Sequence, residues 1–342
     1  MKVDAGLLAS LDDVPARARA IEGAGYDGVF TFEGPHDPFF PLALAAEHTE
    51  RLDLSTAIAV AFSRTPMTLA QIAYDLQALS QGRIILGLGS QIRPHIEKRF
   101  SMPWSHPAPR MRELVLAVRA IWSAWNDRTP LDFRGEFYRH TLMTPFFDPG
   151  PSAYGVPRVF LAGVGPAMTE VAGEVGDGFL VHPFSSERYM RETTWPALER
   201  GMARSGRSAE GYEVAWPMLV SVASDERQRD EGDVGLRARL AFYGSTPAYR
   251  PVLEAHGWGD VQTDLNRLSK EGRWDEMRTL IDDEMLDTFA IRCRPEDLPA
   301  KVHERSAGVV TRVSFDAPTL GPPEELADVV AAIRNIGATR AG

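Results

Sequence analysis

Residues 54–91, LSTAIAVAFSRTPMTLAQIAYDLQALSQGRIILGLGSQ, decide the fold of this chain. The run from Leu54 to Phe62 is apolar and rich in Ala, Ile and Val. It breaks at Ser63-Arg64-Thr65-Pro66. Apolar positions then recur at Leu69, Ile72, Ala73, Leu76 and Leu79, which is helical spacing. Gly82 follows the last turn and can take the left-handed conformation that ends a helix. Ile84 to Leu88 is a second apolar run without polar alternation. Two unalternated strands joined by a helix indicate a parallel β-α-β unit buried on both faces. The turn Gly87-Leu88-Gly89-Ser90-Gln91 then falls at the carboxyl end of the second strand, where parallel α/β folds keep their ligands.

The same rhythm extends in both directions. Val3 to Leu8 reads as a strand, followed by a helix that Asp12 or Asp13 can cap, with Pro15 in its first turn. Tyr26 to Phe32 is the second strand and Pro41 to His48 the helix after it. Arg110 to Trp125 is strongly amphipathic: Met111, Leu114, Val115, Val118, Ile121 and Trp122 share one face. Residues 128–157 break the pattern with Pro, Gly and aromatics and read as an inserted hairpin and loop. Strands follow at Val159–Ala162, Gly178–His182, Val214–Val222 and Val309–Phe315. Helical segments follow at Ala167–Val175, Tyr189–Arg204, Leu236–Trp258, Leu265–Asp287, Pro299–Ser306 and Leu326–Ile336. About eight strands, mostly followed by helices, predict one (β/α)8 barrel over residues 1–342, a fold that runs to roughly 250 residues and beyond. A doubly wound open sheet lacks support, because no GxGxxG turn follows the first strand.

Composition narrows the function. The 342 residues are 44% hydrophobic and 25% charged, ordinary for a globular protein. A formal net charge of −10 argues against a nucleic-acid binder. One cysteine, Cys293, allows no intrachain disulfide and no cysteine-based metal site. The amino terminus lacks the apolar stretch of a signal peptide, and no run approaches membrane-spanning length. The expectation is a cytoplasmic protein acting on a small molecule.

Several clusters can carry chemistry. Glu33, His36 and Asp37 gather after the second strand, an arrangement able to hold acid–base residues. As a metal half-site they lack support, since His95, His106 and His140 show no ligand spacing to them; no metal is expected. Gly89, Ser90 and Gln91 permit close approach of a ligand to the backbone, or simply make a tight strand-to-helix connection. Gly163-Val164-Gly165-Pro166 opens a helix, whose free N–H groups favour anions such as phosphate. His182 closes the next strand and either donates to that phosphate or caps the strand. No GxSxG, P-loop or HExxH is present.

In order along the chain stand Gly25-Tyr26-Asp27-Gly28-Val29-Phe30, Asp37-Pro38-Phe39, Thr56-Ala57-Ile58 with Arg64-Thr65-Pro66, and Ser80-Gln81-Gly82-Arg83 with Gly87-Leu88-Gly89-Ser90. Then come Arg112-Glu113, Gly135-Glu136-Phe137-Tyr138, Ala162-Gly163-Val164-Gly165-Pro166 and Gly176-Asp177-Gly178-Phe179. With these the chain resembles the luciferase-like monooxygenase superfamily, and within it the coenzyme F420-dependent oxidoreductases. The resemblance covers nearly the whole chain. It implies a TIM barrel with a deazaflavin or flavin across the carboxyl ends of the strands, and a non-prolyl cis peptide at Ala57–Ile58 against the ring. Gly89, Ser90 and Gln91 would line the ring and ribityl chain; Gly163, Val164, Gly165 and His182 would hold the phosphate; His36 or Glu33 would move a proton. It further implies a homodimer, for which Phe39-Phe40-Pro41-Leu42 is a candidate surface. The alternatives are an FMN-dependent monooxygenase fed by a separate reductase, and a non-catalytic binder of the same cofactor.

The chain also departs from the family. Its dehydrogenases commonly place Asp-His directly after the second strand, where Glu33-Gly34 stand here. A Glu common after the fourth strand is replaced by Gln91-Ile92, and a lysine common near the phosphate is replaced around Ser185. A sugar-phosphate dehydrogenase activity therefore does not carry over. Aromatics of the insertion and of Phe242-Tyr243 are expected to line the substrate pocket.

Overall fold

The computed structural model describes residues 1–306, 308–316 and 320–338. Strands and helices alternate from the start: β1 (Lys2–Gly6), β2 (Gly28–Thr31), β3 (Asp53–Thr56), β4 (Ala59–Val60) and β5 (Ile84–Gly89). A short antiparallel hairpin, β6 (Phe133–Arg134) and β7 (Arg139–His140), interrupts them inside the inserted segment. The alternation resumes with β8 (Arg158–Gly163), β9 (Gly178–Val181), β10 (Glu213–Val222), β11 (Ala290–Cys293) and β12 (Arg312–Asp316). Parallel strands β1, β2, β3, β5, β8, β9, β10 and β12 close into a barrel, with β12 returning to β1 through Lys2↔Arg312 and Val3↔Val313. This is the expected (β/α)8 barrel. β11 adds to the outer half of β10 along Leu219–Val222. Ala290-Ile291-Arg292-Cys293 is too short to show a strand period of its own.

Local chemistry accounts for the elements around the deciding segment. Thr65 caps the helix Pro66–Leu79 by accepting the N–H of Thr68 at 3.2 Å. Pro66 opens that helix at a position where no N–H is needed. Gly82, at φ +94°, ends the connection in the left-handed region, as its position predicts. The amphipathic helix runs Pro107–Asn126 and buries Met111, Leu114, Val115, Val118, Ile121 and Trp122. The first helix, Val14–Gly23, is not capped as expected: the Asp13 carboxylate accepts from the Ser10 hydroxyl at 2.6 Å instead. The region read as one helix over Leu236–Trp258 begins earlier, at Glu226, and breaks after Gly244. A second short helix, Arg250–Glu254, then follows. Leu265–Asp287 is likewise spread over three helices, Gly259–Lys270, Trp274–Thr279 and Asp283–Phe289. Their apolar faces enclose Phe184, Leu219, Leu240, Leu265 and Phe289 in a second core beside the barrel.

The barrel interior is layered. At the amino-terminal end of the strands, Arg312 is 2% exposed and binds Asp4, Asp53 and Glu213 at 2.7–2.8 Å. Lys2 and Arg158 close the network onto Asp53 and Glu213. Gly28 leaves room for it, since a Cβ there would lie 2.7 Å from Asp4 Oδ1. Same-facing residues farther along the strands are apolar: Phe160 and Ala162 follow Arg158, and Ala215 follows Glu213. With Ile85 and Leu180 they pack beneath Ala57 and Ile58. The charged layer plugs one end, and the functional residues collect at the other.

Candidate active site

The run Leu54–Phe62 is not one strand. β3 stops at Thr56, the Ala57–Ile58 bond is cis as expected, and β4 resumes the pairing with Ala59↔Leu88 and Val60↔Gly89. The displaced backbone crowds β5. A Cβ at position 87 would lie 1.7 Å from the Thr56 carbonyl oxygen, and one at position 89 would lie 2.9 Å from Ile58 Cδ1. Gly87 and Gly89 are therefore strand residues that admit the bulge. The turn itself is later, at Ser90 and Gln91, where Gln91 has φ +60°. Gln91 folds its side chain back so that Oε1 accepts the N–H of Ile92 at 3.0 Å. Ala57, Ile58, Ser90 and Gln91 remain half-buried at the carboxyl end of the barrel, while Ala59–Phe62 are buried.

Glu33 fastens the bulge. Its backbone N–H donates to the Ile58 carbonyl at 3.0 Å, and its carboxylate accepts from the Val60 N–H at 2.7 Å and from Arg64 at 2.6 Å. Arg64 also reaches Asp37 at 2.8 Å. Burial lowers the pKa of Arg64, but hydrogen bonds and charge from Glu33 and Asp37 outweigh it and raise the net value. The Glu33 carboxylate is thus engaged with a guanidinium and a backbone amide. The loop it belongs to is held from the other side by Arg99, which donates to the Gly34 carbonyl. His36 is on that loop, exposed, with no side-chain partner among the described residues.

The second glycine turn and His182 meet. Gly163, Val164, His182 and Ser185 line one small depression, which Tyr189 and Thr194 complete. Gly165 precedes the helix Pro166–Val175, and a Cβ there would meet open space. His182 Nδ1 accepts the N–H of Phe184 at 3.1 Å, so a neutral ring carries its proton on Nε2. Nε2 has no partner among the described residues. Burial pushes the His182 pKa down to about 4. The ring lies 4.4 Å from Tyr249 and 4.9 Å from Tyr243, both supplied by the helical segments after β10.

Two features escape the sequence. Arg64 holds Glu33 and Asp37 together; its only local signal is its place at a strand end. Tyr249 reaches His182 across 67 positions of sequence, counting from 182 to 249, with no motif to mark it. One expectation needs correction. Phe146 and Phe147 of the insertion do not wall the site: Phe146 is 89% exposed, and both lie beside Tyr74 and Trp125 on the outside of the barrel. The reason is that the insertion leaves from the end of the helix Pro107–Asn126 and returns at the start of β8. Both points are at the amino-terminal end of the barrel. Only its hairpin climbs, tied to Glu113 by the N–H groups of Glu136, Phe137 and Tyr138 at 2.6–2.8 Å. No group of three or more His, Cys, Asp or Glu among the described residues could hold a metal ion. No helix among them is long and apolar enough to cross a membrane.

The profile of luciferase-like monooxygenases matches residues 2–312. The chain belongs to that family. An uncharacterised protein of Mycobacterium tuberculosis is 55% identical over 92% of each chain. A putative coenzyme F420-dependent oxidoreductase of the same organism is 29% identical, again over 92% of each chain. Among solved structures, the coenzyme F420-dependent tetrahydromethanopterin reductase of Methanopyrus kandleri superposes with a TM-score of 0.77. It is 21% identical and covers 97% of each chain, a likeness of fold.

Proposed function

We propose that the protein is an oxidoreductase using coenzyme F420, and that it moves a hydride between the deazaflavin and a small organic substrate. The observation that carries this reading is the bulge at Ala57–Ile58, fastened by Glu33 and Arg64 over the glycines of β5. The likeness to a putative F420-dependent oxidoreductase over most of the chain supports the choice of cofactor. The residues present fit such a group: a half-buried shelf at one end, and at the other an unpartnered His182 Nε2 on the ring that meets Gly163 and Val164.

The bound cofactor would supply hydride acceptance or donation. The chain would position it. The backbone of Ala57 and Ile58 would support the ring, with Gly89, Ser90 and Gln91 along its edge and ribityl chain. Gly163, Val164, Gly165 and His182 would hold the phosphate, aided by the first N–H groups of the helix at Pro166. Glu33 takes a positioning role, because its carboxylate already serves Val60 and Arg64. His36 would carry the proton: its loop is pinned by Arg64 and Arg99 while its ring stays exposed. The proposal includes a homodimer; of the candidate surface, Phe40 is exposed while Phe39 and Leu42 are buried.

Fluorescence titration of the purified protein with F420 and with FMN tests the cofactor. Tight FMN binding with no response to F420 would overturn this reading in favour of a reductase-fed FMN monooxygenase. His36→Ala should lower turnover by about a hundredfold or more while leaving F420 affinity within a fewfold. Unchanged turnover would remove His36 from the mechanism.

A further inference from the structure

On the outside of the barrel the insertion crosses the helices Pro66–Leu79 and Pro107–Asn126. There Tyr74, Asp75, Trp125, Phe146, Phe147 and Asp148 line a cavity of about 470 Å³. We infer that this cavity is a binding site for a small quaternary ammonium cation. It is independent of the cofactor reading. Trp125 is in the last turn of its helix, at the amino-terminal end of the barrel, and the cis bond is at the carboxyl end.

Three observations carry it. First, the cavity has room and aromatic walls. Its volume is within the roughly 300–1,000 Å³ of small-molecule sites. Tyr74 and Trp125 are buried, with ring centroids 5.2 Å apart. Phe146 and Phe147 sit edge to face at 5.1 Å on one turn of 3-10 helix, Pro145–Phe147. The Phe147 N–H closes that turn on the Thr144 carbonyl at 2.9 Å. The two rings are nonetheless 89% and 63% exposed, a large apolar surface held in water. Second, the polar tips of the buried pair are spent. The Tyr74 hydroxyl donates to the Gly150 carbonyl at 2.9 Å and accepts the Ser152 N–H at 2.8 Å; Trp125 Nε1 donates to Met143 Sδ at 3.4 Å. These side chains offer a ligand ring surface rather than hydrogen bonds. Third, one carboxylate is uncompensated. Asp148 already meets Arg128 and the Gly150 N–H. Asp75 is exposed and has no ion-pair or hydrogen-bond partner among the described residues, and no lysine or arginine among them lines the cavity.

The ligand class follows from these walls. An aromatic face is the negative end of a quadrupole and attracts a cation within about 6 Å of its centre. An anion would meet Asp75 and no cation. A primary ammonium has three N–H donors to satisfy as it leaves water, and Asp75 with the Gln71 amide oxygen supplies few acceptors for them. A quaternary ammonium has no N–H to satisfy. Its methyl groups pack on the rings of Phe146, Phe147, Tyr74 and Trp125, and its charge is answered by those rings and by Asp75. A neutral ligand of the same shape would gain the packing alone.

The test compares choline with its neutral isostere 3,3-dimethylbutan-1-ol and with ethanolamine, using saturation-transfer NMR of the ligand protons on the full chain. Choline should bind about tenfold tighter than the alcohol and about fivefold tighter than ethanolamine. Phe147→Leu keeps apolar bulk and removes the ring; it should weaken choline about fivefold and leave the alcohol within twofold. Asp75→Asn should weaken choline about threefold and the alcohol not at all. Both positions are exposed, so neither variant threatens folding. Saturating F420 should leave choline affinity unchanged. The inference is overturned if the alcohol binds as tightly as choline, if ethanolamine does, or if F420 competes with choline. It is also overturned if choline does not bind; should Phe147→Ser then lower the association state in sedimentation, a second copy of the chain fills the cavity instead. If F420 fails to bind, the proposed function falls, and this inference still stands or falls on choline.

Discussion

Removing the Arg64 guanidinium while keeping its bulk, as in Arg64→Met, should destabilise the protein because it strands Glu33. The Glu33 side chain is 7% exposed and that of Arg64 13%, with a shortest contact of 2.6 Å. With charge centres about 4 Å apart and an effective dielectric near 20, their attraction is about 4 kcal/mol. Breaking a buried pair from one side typically costs about 3–5 kcal/mol, since the other charge stays desolvated. Asp37, the second partner, is partly exposed and contributes little, so about 3 kcal/mol is expected. Glu33→Gln in the same chain removes the stranded charge, and its amide oxygen can still accept from Val60. The double variant should therefore regain about 2 kcal/mol over Arg64→Met, a coupling that a double-mutant cycle isolates. Urea unfolding followed by tryptophan fluorescence reads both quantities from midpoint and slope. A loss below about 1 kcal/mol in Arg64→Met would place the pair among ordinary surface ion pairs. A double variant no more stable than Arg64→Met would show that Glu33 was never left desolvated. Either result would refute the claim that this pair fastens the bulge.

Three further outcomes are expected. Gly87→Ala should yield little or no folded protein, because its Cβ would meet the Thr56 carbonyl at 1.7 Å. Gly165→Ala, with nothing within 4 Å, should change stability by under about 1 kcal/mol, and expression with thermal melting separates the two. The His182 pKa of about 4 lies below the ordinary 6.5 of an unfolded histidine, so its contribution is complete above pH 6.5 and lost as pH falls toward 4. Between pH 7 and 4.5 the natural chain should lose on the order of 2 kcal/mol more than His182→Gln; parallel urea curves for the two would disprove it. Arg312→Met should cost about 3–5 kcal/mol, because Asp4, Asp53 and Glu213 would remain around an absent cation; a melting temperature within a degree of the natural chain would contradict this.

Much of this protein is written locally. Apolar runs without alternation gave the parallel strands, and the 3.6-residue spacing gave the helices between them. Gly82 and Pro66 marked their ends, because each reports the backbone of its own neighbourhood. The cis bond at Ala57–Ile58 was legible only through the family resemblance, since nothing in Thr56-Ala57-Ile58 demands it. Segments failed where local pattern is weak. The helices between Glu226 and Phe289 are joined by short breaks that leave no local mark, and β11 is too short to show a strand period.

Tertiary structure decided the partners. Gly87 and Gly89 read as a turn, yet their reason is the neighbouring strand's bulge pressing on them. Glu33 reads as an acid–base candidate, yet Arg64 and the Val60 amide claim it. Asp4, Asp53, Arg158, Glu213 and Arg312 are scattered over the whole sequence and form one plug only when the barrel closes. Periodicity reports which face a residue occupies. Which charge it meets there depends on strand register across hundreds of positions, and that is fixed only when the last strand pairs with the first.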